Sequence, residues 1–259
     1  MSILVGLEGS GHHYLMEAVT HMFSTNNEIF EATTPCILNA PYLTLATLNR
    51  SPLAYINACQ QATDQMHDLA LREQSLPWPG HLTRLCQEQS YPTGLGMNKA
   101  VHYIDLPMLA ATAEAEGVDL RVIYLKRSAH DILVANVIHR HFQNFIGGDV
   151  THSPPEKLFS QYTLILLTDA TVMHSFLAEI DPAFIVCHDY GHAGDEKQAE
   201  KIANFVAPNP VMAKMYNSSL SQAWVEHPSK WEAFPFQGAE AVAARLQREL
   251  DAFEYLYCG

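Results

Sequence analysis

Ile3-Leu4-Val5-Gly6-Leu7-Glu8-Gly9-Ser10-Gly11-His12-His13-Tyr14 runs from an apolar stretch through a glycine-rich turn, and a helical pattern follows at Leu15, Ala18, Val19 and Met22. Gly6 and Gly11 stand at the spacing G-x-x-x-x-G, which lets backbone N–H groups converge on an anion at a helix N-terminus. A loop serving ATP and magnesium continues with Lys and then Ser or Thr. This one continues with His12 and His13. The spacing therefore predicts a phosphate cradle at the start of a βα unit, for a phosphate-bearing donor handled without magnesium. A tight turn between a core strand and a helix, with surface histidines, is the plain alternative.

Outward from the loop, strands alternate with helices. The pattern predicts a helix from about Leu53 to Leu71, a turn at Pro77-Trp78-Pro79-Gly80 and a strand ending near Tyr103. A helix over Leu106–Glu116 follows, with Pro107 in its first turn and Gly117 ending it. Next come a strand over Leu120–Leu125, a helix over Ala129–Phe142 and a strand over Phe184–Cys187. Lys197–Val206 reads as a helix stopped by Pro208, and roughly Ala239–Phe253 as a final amphipathic helix. The expected class is α/β, with a mainly parallel sheet flanked by helices. No repeat or linker divides the 259 residues, so residues 1–259 are expected to form a single domain.

Composition narrows the partners. A net charge of −13 argues against nucleic acid and anionic membranes, both of which need basic faces. Cys36, Cys59, Cys86, Cys187 and Cys258 are scattered, without a C-x-x-C pair, so reduced thiols are expected and neither disulfides nor a metal site. The first apolar run lacks a basic flank or cleavage site, and nothing approaches a membrane span. The expectation is a cytoplasmic protein.

A second anchor lies at Val122-Ile123-Tyr124-Leu125-Lys126-Arg127-Ser128-Ala129-His130-Asp131. Here a strand ends and a helix begins, at the edge where ligands of open α/β sheets collect. A guanidinium at that edge can grip a phosphate with two parallel hydrogen bonds, and the helix N-terminus is expected to add backbone donors. The plain alternative is a surface pair, with Ser128 or Asp131 capping the helix.

Taken in order, these segments resemble the nucleotide-dependent sulfotransferases, which use 3′-phosphoadenosine 5′-phosphosulfate (PAPS). That family opens with a strand and a loop of the type Pro-Lys/Arg-Ser-Gly-Thr-Thr around the 5′-phosphosulfate. Glu8-Gly9-Ser10-Gly11-His12-His13 keeps the Ser-Gly core, with Gly9 in place of the basic residue and histidines in place of the threonines. Tyr124-Leu125-Lys126-Arg127, with Ala129 and Asp131, resembles the family's 3′-phosphate element; its serine falls on Ala135, beside Asn136. Ile185-Val186-Cys187-His188-Asp189-Tyr190 resembles the late strand and acidic dipeptide, and Asn98-Lys99-Ala100-Val101-His102 stands near the family's Lys-Thr-His-Leu-Pro. The Arg-Lys-Gly tail that clasps adenosine in the family has no counterpart near the C-terminus.

The resemblance covers residues 3–20 and 95–206, and it implies a P-loop NTPase-like sulfotransferase fold with PAPS as donor and no metal. It implies donor contacts from Gly9, Ser10, Gly11, His12, His13, Tyr14, Arg127, Ser128 and Asn136. Residues 27–95 and 207–238, which carry no motif, become the acceptor-side helices and loops. The acceptor is expected to be a small-molecule hydroxyl or amine, with a cationic metabolite such as an alkaloid suiting the acidic balance. Sulfuryl transfer needs a base, and His102 and Asp105 compete for it. Histidine titrates in the useful range, whereas capping ahead of Leu106-Pro107 accounts for Asp105. His12, as imidazolium, is the candidate to donate to the leaving phosphate, with His13 behind it. Glu8 would repel phosphosulfate and is expected to face solvent or the acceptor, where it can pair with a cation or act as a base. A kinase-like phosphotransferase and a non-catalytic nucleotide-binding module are the competing readings.

Overall fold

Short apolar runs such as Ile3–Val5 and Val122–Leu125, buried on both faces, lie at the centre of this protein. β1 is Ser2–Val5, β2 Ile29–Thr33, β3 Tyr42–Thr44, β4 Leu82–Cys86, β5 His102–Ile104, β6 Arg121–Lys126 and β7 Ile185–Asp189. The computed structural model describes residues 2–7, 9–11, 15, 17–19, 21–22, 29–33, 42–44, 52–75, 82–86, 102–139, 155–192, 195–207, 209–226 and 239–258. Five strands make one parallel sheet in the order β2-β4-β1-β6-β7, and β3 pairs antiparallel with β5 in a separate ribbon. The α/β class and the parallel sheet expected from the alternation are both present.

The helices are α1 (Pro52–Ser75), α2 (Leu106–Ala115), α3 (Ala129–His139), α4 (Pro155–Leu177), α5 (Glu196–Val206), α6 (Pro210–Glu226) and α7 (Ala239–Tyr257). Helical backbone also follows β1, at residues 15, 17–19 and 21–22. The two-residue period of a strand sends alternate side chains to opposite faces. Ile3, Val5, Val122, Tyr124, Ile185 and Cys187 join one core cluster, with residues of α1, α2, α3, α4 and α7. Leu4, Ile123, Leu125 and Val186 join a second, with Leu15, Val19 and Met22 and with residues of α5 and α6. Each fully buried aliphatic side chain contributes about 1.5–3 kcal/mol of transfer free energy. Strands buried on both faces are what a parallel sheet requires.

Several outcomes differ from the sequence reading. β2 and β4 enter the main sheet from residues 27–95, a stretch read as acceptor-side helices and loops. α4 was absent from the expectation altogether, although Leu158, Tyr162, Leu166, Ala170, Met173 and Leu177 bury at three- and four-residue steps along it. Cys187 and Cys258 form a disulfide where free thiols were expected; the fold brings together two residues that are 71 apart in sequence. Among the described residues no helix is long and apolar enough to cross a membrane.

Two buried histidines tie this core to pH. His174 on α4 stacks on Phe253 at 4.1 Å between ring centroids, and its Nε2 lies 3.3 Å from the Tyr124 hydroxyl. Burial pushes its pKa down to about 4. His188 on β7 is fully buried, and burial likewise pushes it down to about 4, with Asp189 opposing. Both folded-state values lie below the unfolded value near 6.5. Their stabilising contribution is therefore complete above about pH 6.5 and is lost as pH falls from there towards 4. Acidification from pH 7 to 4.5 is expected to cost roughly 2–3 kcal/mol per histidine. Thermal melts of the parent, His174→Gln and His188→Gln across this range check it. Equal pH slopes in all three proteins would refute the assignment.

Candidate functional site

The loop after β1 and the end of β6 meet because of the strand order. From β1 the chain leaves towards β4 and β2, and its helix packs in the cluster containing Leu4. From β6 it leaves towards β7, and α3 packs in the cluster containing Val5. Adjacent strands whose connections go to opposite faces open a crevice at their carboxyl ends, the usual ligand position in open α/β sheets. Both sequence anchors, Gly6–Gly11 and Lys126–Ser128, lie at that edge.

The loop is tight. Ser10 N–H donates to the Leu7 carbonyl at 3.0 Å, and Leu15 N–H donates to the Gly11 carbonyl at 3.2 Å. Gly9 has φ +85° and Gly11 φ +101°, a region that L side chains adopt only at a cost. A Cβ on Gly9 would stand 2.8 Å from Asn136 Nδ2, and one on Gly11 would stand 2.6 Å from Tyr190 Cε2. The glycines thus allow the loop to lie directly against α3 on one side and against the turn after β7 on the other.

Arg127 locks that approach. Its Nη1 donates to the Gly9 carbonyl at 2.7 Å, and its guanidinium lies 4.4 Å from the centroid of the Tyr190 ring. The side chain is buried. Desolvation lowers its pKa, while Tyr190 and Asp131 raise it. The guanidinium stands against the loop, and a planar fork of N–H donors is the group type that suits an anion at such an edge.

The neighbouring Lys126 is held otherwise. Its Nζ pairs with Glu254 Oε2 on α7 at 2.9 Å and stands 4.0 Å from Asp189 Oδ2. The hydrogen bond that Lys126 donates to Glu254 raises the lysine pKa against the opposing effect of burial. Burial raises the Glu254 pKa, and Lys126 pulls it back down. The charged pair is what we draw, since the lysine is stabilised in its charged form and two further carboxylates, Asp189 and Asp251, add to that field.

The other sequence-read residues fall in distinct places. Ser10 and Asn136 are fully buried. Asn136 donates to the Ile132 carbonyl at 2.8 Å and packs beneath Gly9, so it props the loop from behind. Ser128 Oγ accepts from Asp131 N–H at 3.1 Å and caps α3. The expectation that this helix start adds free backbone donors needs correction, because Ala129 N–H donates to Gln247 Oε1 of α7 at 2.8 Å. Asp105 caps α2, accepting from Met108 N–H at 3.0 Å. Asp105→Ala is expected to lower stability by about 1 kcal/mol and Asp105→Asn to recover most of it. Urea denaturation checks this, and an alanine variant as stable as the parent would remove the cap assignment.

His102 opens β5 in the small ribbon, paired with Thr44, rather than in the main sheet. Glu8, His12, His13 and Tyr14 lie outside the described residues. Sequence reasoning missed the contributions of Tyr190, Glu254 and Gln247. Tyr190 had a readable signal, since it follows the strand next to β6 at the same carboxyl edge. The two α7 side chains had none. A separate hollow of about 460 Å³ between α4 and α7, lined by Thr168, Thr171, Arg245 and Arg248, shares no residue with this edge. No protein-family model matches the chain, and no curated protein matches its sequence.

Proposed function

We propose that this protein is a PAPS-dependent sulfotransferase acting on a hydroxyl or amine of a small-molecule acceptor. The observation that carries the reading is the bond from Arg127 to Gly9, which joins a glycine loop and a buried guanidinium at the crevice between β1 and β6. The sheet order supports it, since β1 stands at the centre with its loop at the switch point. The loop also lacks the Lys and Ser/Thr of an ATP- and magnesium-binding site.

In the proposed reaction the acceptor oxygen or nitrogen bonds to sulfur as the bond from sulfur to the bridging oxygen breaks. The 5′-phosphate leaves carrying the charge of that oxygen. Arg127 provides fixed positive potential at that place, the arrangement that stabilises a developing anion. His102, which matches the family's histidine, is the favoured base over Asp105 and Glu8 for the acceptor proton. In the absence of the family's loop lysine, His12 is the candidate to donate to the leaving phosphate. Product release yields 3′-phosphoadenosine 5′-phosphate.

Calorimetric titration with 3′-phosphoadenosine 5′-phosphate, with and without magnesium and against ATP, tests the reading. Metal-independent binding of the bisphosphate supports it and justifies an acceptor screen that starts with cationic amines. Binding of ATP alone, and only with magnesium, would replace it by the kinase-like reading. Bisphosphate binding with no turnover across that screen would leave a nucleotide-binding module.

A further inference from the structure

α7 reaches the β6–α3 junction at two points, and the residue that follows it reaches β7 at a third. Gln247 accepts from Ala129 N–H, Glu254 pairs with Lys126, and Cys258 is joined to Cys187 of β7. Positions 254 and 258 are one helical turn apart, and Cys258 N–H donates to the Glu254 carbonyl at 2.8 Å. The disulfide therefore anchors the same turn that presents Glu254. The turn is anchored inward through Phe253, which stacks on His174 and on Tyr257, while Tyr255 is 85% and Leu256 70% exposed. On β7, Cys187 stands two residues before Asp189, the second carboxylate near Lys126.

We propose that Cys187–Cys258 is a redox latch on the anion site: closed, it seats Glu254 on Lys126, and opened by a dithiol, it lets Lys126 join Arg127 in holding the ligand. A thiolate of the dithiol attacks the Sγ of Cys258, which is half-exposed, while Cys187 is buried. The Sγ–Sγ bond breaks, Cys187 leaves as thiolate and takes a proton. The second thiol of the reductant then displaces Cys258, which also ends as a thiol. The protein gains two electrons and two protons, and the reductant becomes a disulfide. With its covalent anchor gone, the end of α7 beyond Phe253 opens locally, as helix ends do. Lys126, one residue from Arg127, then loses its 2.9 Å bond to Glu254 and keeps only the longer approach to Asp189 at 4.0 Å. This inference rests on the proposed anion site only in its effect on ligand affinity.

The test uses the full chain, oxidised and after dithiothreitol, with two readouts. Acetylation of Lys126 by an activated ester, followed by mass spectrometry, reads the latch without any ligand. Calorimetry with 3′-phosphoadenosine 5′-phosphate reads the site. Reduction is expected to speed Lys126 acetylation severalfold and to tighten bisphosphate binding by about five- to tenfold, the scale of an ordinary coupling between sites. Cys258→Ser should behave as the reduced protein under both conditions. Glu254→Gln should acetylate fast whether oxidised or reduced. Equal acetylation of Lys126 in the oxidised and reduced parent overturns the latch, even where the bisphosphate binds. Faster acetylation on reduction, with no bisphosphate bound by either form, supports the latch and rejects the donor site instead.

Discussion

Replacing Arg127 by alanine is expected to weaken 3′-phosphoadenosine 5′-phosphate binding by about a hundredfold and to destabilise the fold as well. The ligand effect follows from removing a charge-assisted, geometrically fixed donor, worth roughly 1.5–3 kcal/mol. The stability effect follows from the two contacts the side chain makes in the unliganded protein. The Gly9 carbonyl loses its 2.7 Å donor, and the Tyr190 ring loses the cation on its face. A desolvated cation–π contact contributes up to about 2 kcal/mol, and the orphaned carbonyl costs roughly 1–3. Arg127→Lys separates charge from geometry, because an ammonium keeps the charge and loses the planar fork. It should recover part of the stability and little of the affinity. Calorimetry and urea denaturation on the three proteins decide the matter, and an alanine variant binding like the parent would end the donor-site reading.

Gly11→Ala is the second large effect. At φ +101° the alanine backbone is strained, and its Cβ would meet the Tyr190 ring at contact distances that real structures do not contain. Strain of this kind costs about 1–3 kcal/mol. Displacing Tyr190 adds the loss of its stacking on Arg127. We expect a variant that unfolds at clearly lower denaturant and no longer binds the bisphosphate. Gly11→Ala combined with Tyr190→Ala relieves the collision and leaves the backbone strain, so it should recover only part of the stability. A single Gly11→Ala protein with parental stability and binding would show that the loop conformation is immaterial.

The residues that announced themselves in the sequence were those whose role is local. The β1–loop–helix unit was legible because three signals coincide there: an apolar run, glycines at fixed spacing and a resumed helical period. β6 was legible from Val122-Ile123, two β-branched residues side by side, and Arg127 from its place at the strand end. Asp105 and Ser128 followed ordinary capping chemistry. What stayed hidden depends on tertiary approach. Nothing near Gln247 or Glu254 indicates that α7 crosses the start of α3, and nothing around Cys187 or Cys258 indicates that they meet. β2 and β4 are short and separated by the long helix α1, so their membership of the sheet shows only through parallel pairing across distant segments. Glu8, His12 and His13, on which the sequence placed much of the chemistry, await the turnover measurement.

The strand order also governs how this protein is made. β1 leaves the ribosome before both of its neighbours, β4 and β6, with which it pairs through registers such as Ser2 with Leu85 and Ser2 with Arg121. Until residue 126 has emerged, β1 has no complete set of partners, and an unpaired apolar edge invites association with other chains. Parallel pairing at such separations is slow to form. Nascent chains stalled before β6 should therefore be held by chaperones, and the crevice between β1 and β6 is born only when that strand docks.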